Sequence, residues 1–358
     1  MIPDRTGGLL ESLQARGVID ADRRRALAAR APVPWWLAAL LAVAAWIASL
    51  IILSAFFGPL LMLADNAVVR AAGGAALIAA ALYLFRRESP FAAQMALAFS
   101  LAGQALIVVA VAGDAAGQES VSRMMALTAM VVAAGLMWPP APGLHRTLCA
   151  LIVLASVAWL IGPGSGLALF GVAVTAAAAA LWLTRARWAA QPHAPLVKAL
   201  AHAATLVALG LAPYGHARSA LDALNAVAGA GRHASVPVIY ATGAAAVLFA
   251  TVAWLTRAAP AGLRAAALGA ALLFVPGAWQ TPGLLASGAL LLAAFHACHR
   301  PWVVLTLSFA ALYLAELYYS LHATLLEKSL ALAVTGVLLL LARTGLRRWT
   351  GSPAWAAR

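Results

Sequence analysis

The chain has 358 residues, of which 64% are hydrophobic and 10% are charged, and its formal net charge is +13. A soluble domain of this size carries roughly 25% charged residues, so the composition excludes that class. The positive charge would indicate nucleic-acid binding if the arginines formed one patch. They are scattered between apolar segments instead, which favours membrane topology determinants and argues against a nucleic-acid partner.

Residues 1–33 are basic and precede the first apolar segment. We expect a short cytoplasmic helix pair between residues 9 and 30, with Gly17 ending the first helix and Asp20 capping the second. An unstructured basic tail is the alternative. No cleavable signal pattern is present, so the first apolar segment should act as an uncleaved signal anchor.

Stretches of 16 to 23 mostly apolar residues then follow one another along the chain. A bilayer core of about 30 Å needs about 20 such residues in a helix, so each stretch is a candidate membrane span. The shortest, 147–162 and 283–298, would need bilayer thinning or would be re-entrant. The predicted spans are 35–57, 67–85, 91–112, 121–138, 147–162, 165–184, 196–212, 237–255, 262–278, 283–298, 302–321 and 325–342.

The distribution of basic residues predicts the orientation. With a cytoplasmic N-terminus, nineteen of the 24 lysines and arginines fall on the inside. This bias favours an even number of spans, because losing one span would invert every later loop. The sequence therefore predicts an all-α polytopic bundle of about twelve spans over residues 34–343, with both termini cytoplasmic and a basic tail at 344–358. Only Arg70, Arg123, Arg218, Arg232 and Lys328 remain outside.

Polar side chains within the spans are the candidate functional residues. Glu316 is the most conspicuous, because a charge at a helix centre costs about 2.5–3.5 kcal/mol on insertion scales. Tyr313 lies on the same helix face as Glu316, and Tyr319 lies one turn further on. One hypothesis makes this cluster a proton or cation site. The other makes Glu316 a buried structural carboxylate paired with Arg70 or Lys328, at the same external level.

Two further polar stripes are predicted. Ser100 and Gln104 share a face of the third span, where amides commonly join membrane helices by hydrogen bonds. Lys198, His202 and Thr205 form a stripe near the cytoplasmic end of the seventh span, with Lys198 placed to reach the headgroups. Interhelical packing is the simpler interpretation of both stripes. Ligand contact is the alternative for the Gln104 stripe, and a proton relay is the alternative for His202.

Chemistry-bearing motifs are absent from the sequence. His296, Cys298 and His299 do not predict a metal site, because neighbouring helix positions point apart and a fourth ligand is missing. The Gly/Pro-rich hairpins at 161–166 and 276–283 adjoin the shortest spans, but they do not occupy matching places in two halves of a transporter. We therefore expect no enzymatic activity, no cofactor and no metal.

Five sequence features together resemble a bacterial family of multi-pass membrane proteins known only as a domain of unknown function. They are PWWL at 34–37, Trp46, SLAGQAL at 100–106, the tyrosine pair at 318–319 and LLEKSL at 325–330. The resemblance implies a bacterial inner-membrane location and a possible partner, a small membrane protein named for its GDYXXLXY sequence. It implies no activity.

Two functional hypotheses follow. The first is a non-enzymatic component of a membrane complex, suggested by the lack of catalytic motifs and by the resemblance. The second is a secondary transporter that uses Glu316 inside the membrane. A water-accessible cavity lined by Glu316, Gln104 or His202 would favour the transporter.

Overall fold

The computed structural model describes residues 5–29, 35–63, 66–87, 89–113, 117–216 and 235–320, with isolated positions between 326 and 344. The fold is all-helical, at 86% helix, and the described residues contain no strand. The helices are α1 (Arg5–Ala15), α2 (Ala21–Ala29), α3 (Trp35–Leu63), α4 (Ala67–Leu84), α5 (Pro90–Ala112), α6 (Gln118–Leu136), α7 (Gly143–Ile161), α8 (Ser165–Leu183), α9 (Arg185–Trp188), α10 (Ala194–Leu211), α11 (Ser235–Leu255), α12 (Ala261–Ala278), α13 (Pro282–His296) and α14 (Arg300–Ser320).

Nine helices within these described ranges are long and apolar enough to cross a membrane: α4 to α8, α10 to α12 and α14. The prediction of a helical membrane protein is thereby confirmed. Eleven of the predicted spans coincide with a helix, and the last one, 325–342, lies almost wholly outside the described residues. The total of twelve spans and the cytoplasmic termini stay predictions.

One predicted short span is in fact of ordinary length. The range 147–162 was too short, because α7 begins at Gly143 and has 19 residues, enough for about 28 Å. Helix α7 includes His145 and Arg146, and a span boundary set by hydropathy excludes both residues. His145 is buried, so its polar ring faces protein and does not mark the end of the span.

The other predicted short span, 283–298, corresponds to a helix that is short in the structure as well, and the packing around it explains how this length is tolerated. Helix α13 has 15 residues, about 22 Å, which is less than the hydrocarbon core. Ten of those residues are buried, and α13 packs against α8, α10, α11, α12 and α14. Other helices therefore surround much of α13, and a short element is tolerated where protein shields its ends.

The chain divides into two compact units. The first comprises residues 1–125 and 139–142, and the second comprises residues 126–138 and 143–358. In the first unit, α4 and α5 meet at Gly74 and Gly103. A Cβ added at either glycine would lie 2.6–2.7 Å from the carbonyl oxygen of the other. The two backbones are therefore in direct contact, as small residues allow between membrane helices.

The helix pair α1 and α2 also belongs to the first unit. Gly17 follows α1 with a φ of +70°, a left-handed conformation that glycine adopts without steric cost. The Asp20 carboxylate accepts the backbone N–H of Arg23 at 2.6 Å, which caps the start of α2. These two local signals delimit the pair.

The core of the second unit forms where α8, α10, α11 and α13 meet. Tyr240 of α11 is completely buried there. A Cβ at Gly171 or at Gly215 would lie within 2.7 Å of a Tyr240 side-chain atom, so the ring fills the space that both glycines leave. Gly243 makes the same kind of space for Val172. Large side chains thus fit between helices that approach closely.

A tight turn closes one end of this unit. Gly162 and Gly164, between α7 and α8, have φ values of +72° and +136°, which only glycine adopts readily. The Gly164 amide donates to the Tyr214 hydroxyl at 2.6 Å. Tyr214 lies in a short 3-10 turn, Ala212–Gly215, that follows α10. The α7–α8 hairpin is therefore joined to the turn that immediately precedes His216.

Candidate functional site

The carboxylate singled out in the sequence, Glu316, makes a hydrogen bond to a histidine in the second unit. Glu316 lies in the last third of α14, and its Oε2 is 2.8 Å from Nδ1 of His216. The His216 side chain is fully buried, and that of Glu316 is 23% exposed. Among the described residues, the carboxylate therefore pairs with a histidine just after the 3-10 turn. Its predicted pairing with Arg70 or Lys328 stays a prediction, since Lys328 lies outside the described residues.

The second nitrogen of His216 determines its protonation. Nε2 accepts the backbone N–H of Gly283 at 3.2 Å. A nitrogen that accepts a hydrogen bond carries no proton, so the single proton of the ring lies on Nδ1 and is donated to Glu316. The geometry thus defines a neutral imidazole between an amide donor and a carboxylate acceptor.

Gly283 is the second residue of α13, and its amide is one of those that have no partner within the helix. A Cβ at this position would lie 2.5 Å from His216 Nε2 and 3.0 Å from the ring of Tyr313. Glycine is therefore required for the imidazole to reach the start of α13. His216 takes the place of the polar side chain that usually caps such an end.

Tyr313 completes this cluster. Its ring stands edge-on to the His216 ring, with centroids 5.1 Å apart, and its hydroxyl donates to the Leu209 carbonyl near the end of α10. Helices α10, α13 and α14 and the 3-10 turn are therefore joined through His216, Tyr313, Gly283 and Glu316, which we call the imidazole cluster. The second oxygen of Glu316, Oε1, is buried and has no hydrogen-bond partner among the described residues.

Of the other predicted site residues, one lies on α14 and two belong to the first unit. Tyr319 is on α14 but 81% exposed. Arg70 and Gln104 belong to the first unit, where the Gln104 amide donates to Ser100 at 3.3 Å along α5. Lys328 lies outside the described residues. The structure therefore unites Glu316 with Tyr313 and adds His216, a lone histidine in a connection, which carries no signal in the sequence.

A second polar site lies around the stripe at Lys198, His202 and Thr205. The Thr205 hydroxyl accepts the indole N–H of Trp182 at 2.9 Å, so it joins α10 to α8. His202 stacks on Trp182, with ring centroids 5.6 Å apart. Lys198 and His202 line a cavity of about 740 Å³. Thr205 therefore contributes to the packing of α10 against α8, while Lys198 and His202 line the cavity.

The three residues considered for a metal do not converge. The His296 ring stands edge-on to Trp254, at 5.4 Å between centroids. His299 instead lies 5.7 Å from the ring of His202. The sulfur of Cys298 contacts the carbonyl of His296. The two histidine rings thus face different neighbours.

These features define a multi-pass helical membrane protein with an imidazole cluster and a polar cavity in one unit. Residues 34–349 match the family DUF4401, a domain of unknown function, and the chain belongs to that family. No curated protein and no solved structure matches it. The resemblance inferred from the sequence is confirmed at the level of the family.

The imidazole cluster predicts a clear order of stabilities. His216→Ala leaves the Gly283 amide and the carboxylate without a partner, so it should lower the free energy of unfolding by about 2–3 kcal/mol. This loss is smaller than the loss on breaking a fully buried pair, because Glu316 is partly exposed. Glu316→Gln keeps an oxygen that accepts from Nδ1, so it should cost about 1 kcal/mol. Thermal unfolding in detergent measures both, and Tyr319→Phe is the control. Equal losses for the two variants would contradict the assigned contacts.

Proposed function

We propose that the chain is a non-enzymatic secondary carrier of the bacterial inner membrane, in which a solute bound in the cavity is coupled to a proton at Glu316. The observation that carries this proposal is the position of the two polar sites on the same helices. Lys198 and His202 lie on α10, which ends at the imidazole cluster, and Trp302 beside the cavity lies on the helix that holds Glu316.

The dimensions support coupling between the sites. His202 is the ninth of 18 residues in α10, so the cavity reaches about the middle of that helix. His202 and Leu209 are about 10 Å apart along α10, and Trp302 and Glu316 about 21 Å apart along α14. A solute and a proton would thus act on the same rigid elements, as two linked ligands must.

The chemistry of the cluster supports a proton as the coupled ion. Glu316 accepts one charge-assisted hydrogen bond through Oε2, while Oε1 has no partner among the described residues. A proton added at Oε1 would remove the negative charge and weaken the bond to His216. That change would loosen the link between α14 and α13. Since a buried polar pair is often no more stabilising than apolar packing, a switching role accounts for the pair better than stability does.

Proton-coupled transport can be measured in proteoliposomes that contain a pH-sensitive dye. Glycerol 3-phosphate, hexyl phosphate and benzoate are added outside, and the internal pH is followed. We expect solute-dependent proton movement with the wild type, and a rate lowered about tenfold or more in Glu316→Gln, because the amide cannot exchange a proton.

Ser308→Ala is the matched control, because Ser308 is an exposed residue of α14 whose hydroxyl donates to the Val304 carbonyl of its own helix. This variant should transport like the wild type. Equal proton movement in Glu316→Gln and Ser308→Ala would reject the carboxylate as the coupling site. Failure of all three solutes to move in the wild type would reject the carrier.

The second candidate is a component of a membrane complex, with a GDYXXLXY-type protein as the proposed partner. The observation that favours it is the helix pair α1–α2, which precedes residue 34, where the family match begins. This pair carries exposed charges, among them the Asp22–Arg25 ion pair at 2.6 Å. A charged element that precedes the membrane bundle in the chain is suited to contact another protein.

Co-purification tests the complex directly. The chromosomal copy is tagged, solubilised in mild detergent and analysed by mass spectrometry, alongside a variant that lacks residues 2–30. We expect a stoichiometric membrane partner with the full chain and its loss from the shortened variant, provided that both unfold at the same temperature. A solitary species from the full chain would reject this candidate.

A further inference from the structure

The cavity in the second unit has a lining that indicates what it binds. It has a volume of about 740 Å³ and lies between the ends of α7, α8, α10 and α14, with α9 at its rim. Pockets of this size accept small organic molecules, whereas one water occupies only about 30 Å³. The cavity is therefore much larger than a site for a bare ion.

The charge of the lining is positive. Arg185 and Lys198 contribute two cations, and no aspartate or glutamate among the described residues lines the cavity. One guanidinium N–H of Arg185 donates to the Ala297 carbonyl, which holds the side chain in place. A guanidinium has five N–H donors in a planar fork, so several remain for an oxyanion. Lys198 is exposed and can approach such an anion as a mobile point charge.

Two imidazoles add unused hydrogen-bonding capacity. His202 Nε2 and His299 Nδ1 are both buried and have no hydrogen-bond partner within the described part of the chain. Burial and, to a lesser extent, the Arg185 guanidinium lower the pKa of His299, so this ring is neutral at neutral pH. Leaving such groups without partners is unfavourable, and in the tautomers that carry the proton on these two nitrogens a bound oxyanion would supply the missing acceptor.

The rest of the lining is aromatic and apolar. Trp182 and Trp302 lie on α8 and α14 with centroids 5.6 and 5.1 Å from the His202 ring. Trp188 and Leu206 extend the apolar surface. A small inorganic anion would leave this surface in contact with water, so the natural occupant has an apolar body attached to its anionic group.

We propose that this cavity binds a phosphate group attached to an apolar body. Arg185, Lys198 and the two imidazoles hold the phosphate, and the apolar part lies against Trp302 and Leu206. Phosphate is favoured because it presents several oxygens to donors that come from two helices and a connection. Two sources share this chemistry: the headgroup of an anionic phospholipid at the predicted cytoplasmic surface, and a soluble phosphate ester.

A phosphate compound would be the class of solute that the proposed carrier binds in this cavity, and to that extent the inference rests on the proposed function. Its test is equilibrium binding, which needs no transport. Phosphate binding without solute movement would reject the carrier alone. Movement of benzoate without phosphate binding would reject this inference alone.

The test uses the purified, delipidated full chain in a neutral detergent, with three separate probes. These are dioleoylphosphatidylglycerol, dioleoylphosphatidylcholine and hexyl phosphate, each followed by tryptophan fluorescence and by native mass spectrometry. Phosphatidylglycerol binding without hexyl phosphate binding identifies a lipid site. Hexyl phosphate binding identifies a soluble ester, and either result supports the proposal. If hexyl phosphate does not bind, phosphatidylcholine binding as tight as phosphatidylglycerol binding overturns the proposal, and so does binding of none of the probes.

Matched variants connect the binding to the cavity. Lys198→Gln should weaken binding about tenfold, since one charged contact to phosphate is lost. Arg187→Gln removes an exposed arginine of α9 that does not line the cavity, so it should change Kd by less than about twofold. Thr147→Trp keeps every basic group but fills the space, and it should abolish binding. If Lys198→Gln and Thr147→Trp bind as well as Arg187→Gln, the phosphate is held on the surface and the proposal fails.

Discussion

The hydrogen bond from the Gly283 amide to His216 is the contact on which the second unit depends. It satisfies the start of α13, a helix too short to span the hydrocarbon core and therefore dependent on its protein surroundings. It also assigns the proton of His216 to Nδ1, which is then donated to Glu316. A single imidazole thus caps one helix and holds the charged residue of another.

This arrangement has a consequence for the helices that share it. Tyr313 donates to the end of α10, so any change at His216 or Glu316 would reach the helix that carries His202 and Lys198. Buried polar networks are costly when partly satisfied, and Glu316 keeps one oxygen without a partner in the described part of the chain. Such an incomplete network is suited to a group that changes its protonation during function. The proposed carrier is the simplest function that uses both ends of these helices.

The helices were largely predictable from the sequence, because long apolar runs are a strong local signal. The predicted span 165–184 corresponds to Ser165–Leu183, and 91–112 to Pro90–Ala112. The boundary of α7 was wrong because His145 is polar in the sequence yet buried in the fold. Glu316 and Tyr313 were also predictable as a cluster, since they lie one turn apart on one helix.

The contacts of the site could not be predicted in the same way. His216 and Glu316 are 100 residues apart, and His216 and Gly283 are 67 apart. No local sequence pattern distinguishes His216 from any other loop histidine. The cavity could not be predicted either, because its lining comes from helices that meet only after folding.

The protonation of His216 tests this account most directly. Solid-state NMR of the full chain in bilayers, with ¹⁵N-labelled histidine, can report it, and the spectrum of His216→Gln identifies its signals among the eight histidines. The account predicts a neutral ring with the proton on Nδ1 and a hydrogen-bonded acceptor at Nε2. An imidazolium, or a neutral ring with the proton on Nε2, would place two N–H groups face to face at Gly283 and would contradict it.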